Sequence, residues 1–217
     1  MSHQSALKKP PRKRKIHPWP VRLCHWINLL TMIGMVMSGW GIYNADPLFN
    51  FLSFPQSTTL GGWLGGNIAW HLAVMWLLAA NALIYLLWGL LSGHFKRHFF
   101  PFTPKSVWHD VVQALTLKLP HKLGEYNAVQ KVMYVGVLLL GALLVLSGLS
   151  IWKPVQFSGL VWLFGGFDIA RYVHFFAMSG VMLFVVVHVL MVLLVPKTLV
   201  AMITGGKKQV IKESADE

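Results

Sequence analysis

The sequence predicts an all-α fold: an integral membrane four-helix bundle with both termini cytoplasmic. Three observations carry this. Four apolar runs are each long enough to cross a bilayer, which takes roughly 20 residues. Only 12% of the 217 residues are charged and 55% are hydrophobic, whereas a soluble domain carries about 25% charged residues. Lysine and arginine gather at the chain ends and in one connection, not over a general surface. With a mean hydropathy of +0.57, the chain lacks the polar surface that a soluble fold of this size needs.

The elements follow in order. Residues 1–16 form a basic tail with Lys8, Lys9, Arg12, Lys13, Arg14 and Lys15, expected to be disordered. Residues 17–204 form the transmembrane domain, with spans at about 21–43, 67–92, 128–152 and 171–195. The first span is expected to remain uncleaved, because no small-residue cleavage site stands out after it. Pro47, Pro55, Pro101, Pro104, Pro120, Pro154 and Pro196 all fall between or beyond the spans, where helix punctuation belongs. Val107, Trp108, Val111, Val112 and Leu115 recur at helical spacing. They predict a short amphipathic helix on the membrane surface. The connection 44–66 is rich in aromatic residues and glycine, suited to the headgroup zone or to docking. Residues 205–217 form a C-terminal tail, and no repeat of useful length is evident.

Topology comes from the cations. The first 22 residues hold seven Lys and Arg, and residues 93–127 hold Lys96, Arg97, Lys105, Lys118 and Lys122. The C-terminal tail region adds Lys197, Lys207, Lys208 and Lys212, whereas 44–66 hold none and 153–170 only Lys153. The positive-inside rule therefore places both termini and the 93–127 connection in the cytoplasm. The formal charge of +12 reads as membrane topology and not as a nucleic-acid groove. Cys24 is alone, so an internal disulfide and any cysteine-rich metal cluster are excluded.

Chemistry enters with histidine. Of ten histidines, His25, His71, His174 and His188 fall inside spans, where ionisable side chains mark function by default. One intramembrane histidine alone would suit an interhelical hydrogen bond; four at matched depths suit more. His174 and His188 lie 14 residues apart on one span. They therefore share nearly one face and are separated by about 21 Å along the axis. By orientation, His25 is level with His188 near the inner surface, and His71 with His174 near the outer. Two pairs at two depths suit two six-coordinate haem irons, each taking an imidazole on either side. A tetrahedral zinc shell would remain incomplete. His94 and His98 lie near enough to the inner surface to compete with His25. Gly34, Ser38, Gly39, Gly136, Gly141, Ser147, Gly148 and Gly180 are small and leave room for macrocycles or for close helix packing.

The residues Arg22-Leu-Cys-His25-Trp26, His71, His174 and His188, with Glu125-Tyr-Asn-Ala-Val-Gln-Lys131 opening span three, together resemble a known family. It is the di-haem cytochrome b subunit of membrane-bound formate dehydrogenases and nickel–iron hydrogenases, with the related thiosulfate-reductase cytochromes. The resemblance covers about residues 17–205. It implies two haem b groups, an outer one on His71 and His174 and an inner one on His25 and His188. It also implies electron transfer across the bacterial inner membrane between a quinone, menaquinone or ubiquinone, and a periplasmic oxidoreductase of molybdopterin, nickel–iron or iron–sulfur type. Asn127 and Gln130 would lie beside the quinone headgroup, with Lys131 or Glu125 assisting proton exchange; Asn127 equally suits a helix N-cap. Val129 replaces a glycine of the formate dehydrogenase version, which is expected to alter the quinone pocket. Arg22, Lys131 and Arg171 are candidates for haem propionates or for interfacial anchoring. Two rival readings remain. One is a stand-alone haem reductase, disfavoured because only one span carries two histidines. The other is a non-redox anchor or transporter, which leaves the four histidines without a reason.

Overall fold

The computed structural model describes residues 13–15, 17–93, 128–206 and 208–210, with side chains placed for 15, 17–93 and 132–206. Four helices are long and apolar enough to cross a membrane: α1 (Trp19–Ala45), α2 (Leu64–Leu91), α3 (Ala128–Trp152) and α5 (Phe167–Leu194). Two shorter helices accompany them, α4 (Ser158–Leu163) and α6 (Lys197–Thr204). The protein is a multi-pass membrane bundle, and large apolar side chains such as Leu30, Leu91, Leu139 and Leu193 face outward as lipid requires. The expected surface helix near 104–115 lies outside the described residues.

Local chemistry sets the helix limits. Pro20 sits in the first turn of α1, where its missing N–H costs no hydrogen bond. Asp46, with Pro47 behind it, closes the helix. α6 follows Pro196 and ends at Gly205, whose φ of +92° favours glycine.

The helices pack as two hairpins. α1 runs along α2, and α3 along α5; direct backbone contact between the hairpins is sparse. A small residue marks the close approach in each. A Cβ on Gly34 would lie 3.2 Å from Val74 Cγ2, and one on Gly180 would lie 3.2 Å from Leu140 Cδ1. The first hairpin also holds a buried polar clasp. Asn81 Nδ2 donates to the Cys24 carbonyl at 2.9 Å and to Asn28 Oδ1 at 2.6 Å.

Side chains bridge the hairpins mainly at the end where α1 leads into α2. Phe49, in the connection after α1, meets Tyr172, Phe175 and Phe176 of α5 edge to face. Tyr43 stacks on Phe175, and Trp76 of α2 meets Trp152 of α3. Arg171 binds Asp46 through its carboxylate at 2.9 Å and its carbonyl at 2.6 Å. The connection is itself tied to α1: Asn44 donates to the Phe54 carbonyl and accepts from the Phe54 N–H, and Phe54 stacks on Trp40 at 4.5 Å. Phe49 and Phe54 thus turn inward, whereas Phe51 and Trp63 stay 88% and 73% exposed.

Short segments of the two tails are described. Lys13–Lys15 (β1) pairs antiparallel with Lys208–Val210 (β2), which places both tails at one end of the bundle. Lys15 Nζ donates to the Thr204 carbonyl, and Arg22 donates to the Met202 and Ile203 carbonyls. These are the terminal carbonyls of α6, which have no partner within their own helix; basic side chains are their natural caps.

Candidate haem-binding site

Each candidate histidine inherits its position from its helix. His71 is the eighth residue of α2 and His174 the eighth of α5, so both lie two turns inside the N-terminal ends of their helices. His25 enters early on α1, and His188 lies 14 residues beyond His174 on α5. The antiparallel hairpins bring these positions together in pairs, with one member of each pair from each hairpin.

The rings of His25 and His188 have centroids 6.0 Å apart with their planes 59° apart. Two metal–imidazole bonds of about 2 Å, added to the two ring radii, need nearly this separation. His25 meets Trp26 edge to face, and His188 stacks on Phe184 at 15°. Among the described residues, neither of these two rings has a hydrogen-bond partner.

The other two rings, His71 and His174, lie within electrostatic reach of each other. Each is tethered to the other helix of its own hairpin. Ser38 Oγ is 2.9 Å from His71 Nδ1, and Ser147 Oγ is 3.0 Å from His174 Nδ1. The next residue is glycine in both cases. A Cβ on Gly39 would lie 3.4 Å from His71 Cε1, and one on Gly148 would lie 3.3 Å from His174 Cε1. The Ser-Gly pair is therefore a shelf for an imidazole edge, a role that the small-residue pattern in the sequence did not reveal.

These residues fit haem on two counts of geometry. The imidazoles come from separate hairpins, with the His25 and His188 rings 6.0 Å apart, and those hairpins make little direct backbone contact. Gly136 and Gly141, by contrast, meet nothing within 4 Å, so helix–helix contact does not account for them among the described residues. Fewer than three groups of His, Cys, Asp or Glu gather anywhere among the described residues. That excludes a protein-only metal cluster there and is compatible with two-histidine sites.

Other candidates fall elsewhere. Arg22 and Arg171, weighed as propionate partners or interfacial anchors, donate to the terminal carbonyls of α6 and pair with Asp46 respectively. Asn127, Glu125, His94 and His98 lie outside the described residues. Gln130 belongs to α3 by its backbone, but its side chain, like those of Val129 and Lys131, lies outside them too.

Comparison with known proteins adds independent findings. The sequence profile described as prokaryotic cytochrome b561 matches residues 16–205. A candidate protein-methionine-sulfoxide reductase subunit, YedZ1, from Azospira oryzae is 49% identical over 88% of this chain and 96% of its own length. A candidate Ni/Fe-hydrogenase B-type cytochrome subunit from Bradyrhizobium diazoefficiens is 26% identical over 65% of this chain and 58% of its own. One from Cupriavidus necator is 22% identical over 80% of this chain and 76% of its own. No solved structure matches the chain.

Proposed function

The chain belongs to the prokaryotic cytochrome b561 family of haem-binding membrane electron carriers, and from that premise we propose that it is a di-haem subunit linking quinol to a periplasmic methionine-sulfoxide-reducing enzyme. The observation that carries the di-haem reading is the 6.0 Å approach of the His25 and His188 rings across the two hairpins, with His71 and His174 on matching turns of α2 and α5 as the second pair. Two haem b groups would supply reversible one-electron transfer between iron(II) and iron(III). The protein's own part is to offer facing imidazoles, exclude water with an apolar sheath and hold the two sites at different depths.

Orientation follows from the cation distribution, with both tails and residues 93–127 cytoplasmic. The inner pair then lies near the cytoplasmic face. Quinone would bind on that side, with the amides of Asn127 and Gln130 offering hydrogen bonds to its carbonyls. The partner would dock on the outer connections, 46–63 and 153–166. Its class is argued from similarity: the reductase subunit from Azospira oryzae matches along nearly its whole length at 49% identity, far above the hydrogenase cytochromes. Reduction of a sulfoxide consumes two electrons, so quinol is the donor and flow is outward.

The test is the pyridine haemochrome spectrum of purified protein with protein quantitation, followed by anaerobic addition of menaquinol and ubiquinol. Two haem b per chain that reduce on quinol addition are expected. Absence of haem from a folded sample of haem-sufficient cells overturns the electron-carrier role and favours an anchor. Reduction without transfer to a co-expressed periplasmic methionine sulfoxide reductase overturns the choice of partner.

A further inference from the structure

The hydroxyls of Ser38 and Ser147 occur in one arrangement twice, on two helices that share no sequence repeat. Ser38 Oγ lies 2.6 Å from the Gly34 carbonyl, four residues back, and Ser147 Oγ lies 2.6 Å from the Leu143 carbonyl, again four residues back. Both residues are 0% exposed, so bulk water does not compete. A serine hydroxyl has one hydrogen and two lone pairs. The short contact to the carbonyl, which can only accept, takes that hydrogen. What Oγ presents to the histidine is therefore a lone pair, and the Nδ1 atoms at 2.9 and 3.0 Å must be the donors. A neutral imidazole with its proton on Nδ1 carries its free lone pair on Nε2.

We infer that Ser38 and Ser147 are positioning residues that fix His71 and His174 as Nε2 ligands and set how strongly these imidazoles donate to the outer iron. The inference rests on the assignment of that pair to a haem. A ligand imidazole whose other N–H is accepted by an oxygen becomes the stronger donor, and a stronger donor favours iron(III) over iron(II). The adjacent Gly39 and Gly148 let the ring edge settle against the helix. Among the described residues, the inner pair has no such acceptor.

The experiment is a redox titration of the purified di-haem protein, wild type against Ser38→Ala, Ser147→Ala, the double variant and the two Ser→Thr variants. Haem content is measured on every sample. With two haems retained, each alanine variant should shift one of the two titration steps to more positive potential. The double variant should shift it further, while the other step stays in place. Threonine, which keeps a hydroxyl able to bond four residues back, should restore the wild-type potential. If alanine loses one haem while threonine keeps both at wild-type potential, the positioning role stands. Unmoved steps in a two-haem alanine variant overturn the inference, as does an equal movement of both steps. A wild-type protein without haem instead removes the premise, and the haem assay separates that failure from the others.

Discussion

At the scale of the residue, the four intramembrane histidines are distinguishable by what surrounds them. His71 and His174 rest on Ser-Gly shelves; His25 and His188 are held by aromatic neighbours and by each other. Alanine at His71 or His174 should lower haem content from two per chain to one, and alanine at His25 or His188 should remove the other. Difference spectra of the two classes of variant should then be complementary, which a haemochrome assay with low-temperature spectroscopy checks. Gly148 offers a second test. In an unencumbered helix, replacing glycine with a residue such as alanine adds about 1 kcal/mol of stability. Here even the first added carbon would press His174 at 3.3 Å. Gly148→Val should therefore displace that ring and cost the outer haem, read as a fall in stoichiometry without loss of helix content. The histidines were legible because histidine is costly in lipid and their helical depth follows from sequence position. The partnership of Ser38 with His71 was not. It joins residues 33 apart, whereas Ser147 and His174 are 27 apart. The unequal connections hide a shared design from any search for a fixed period.

At the scale of the element, membrane physics made the spans readable, since an apolar run in lipid must satisfy its backbone internally. Sequence places the second span from about residue 67; α2 starts at Leu64, after Trp63 in extended backbone. The tails were harder to read, because composition reports solubility and is silent on pairing. Lys13–Lys15 carries the charge of a disordered tail, yet it pairs with Lys208–Val210 beside a clasp in which Arg22 caps α6. Arg22→Ala should leave the terminal carbonyls of α6 unpaired and speed amide exchange through 197–204, measured by mass spectrometry in detergent. Within the first hairpin, Asn81 supplies both donors of the clasp to Cys24 and Asn28. Asn81→Leu should lower stability by about 1 kcal/mol, as interhelical hydrogen bonds in membranes do. A lower thermal midpoint at unchanged subunit composition would record it.

At the scale of the whole molecule, two well-packed hairpins meet through rings and one ion pair more than through backbone contact. A ligand that binds only the assembled bundle stabilises it by mass action, and an imidazole from each hairpin on one iron would be such a link. Haem-depleted protein is therefore expected to melt well below the loaded form. Spin labels placed one per hairpin should also show a broader distance distribution in the depleted sample. Equal melting and equal distributions would mean that the aromatic contacts suffice.

The clasp at the tails has a consequence for timing. Arg22 and its acceptor Met202 are 180 positions apart, so α1 must enter the bilayer with that guanidinium unmatched. It remains so until synthesis has passed Met202. A chain cut before Met202 lacks the carbonyls that α6 offers Arg22. Closing the ends on each other then ties α1 to α6 only once translation has passed Met202.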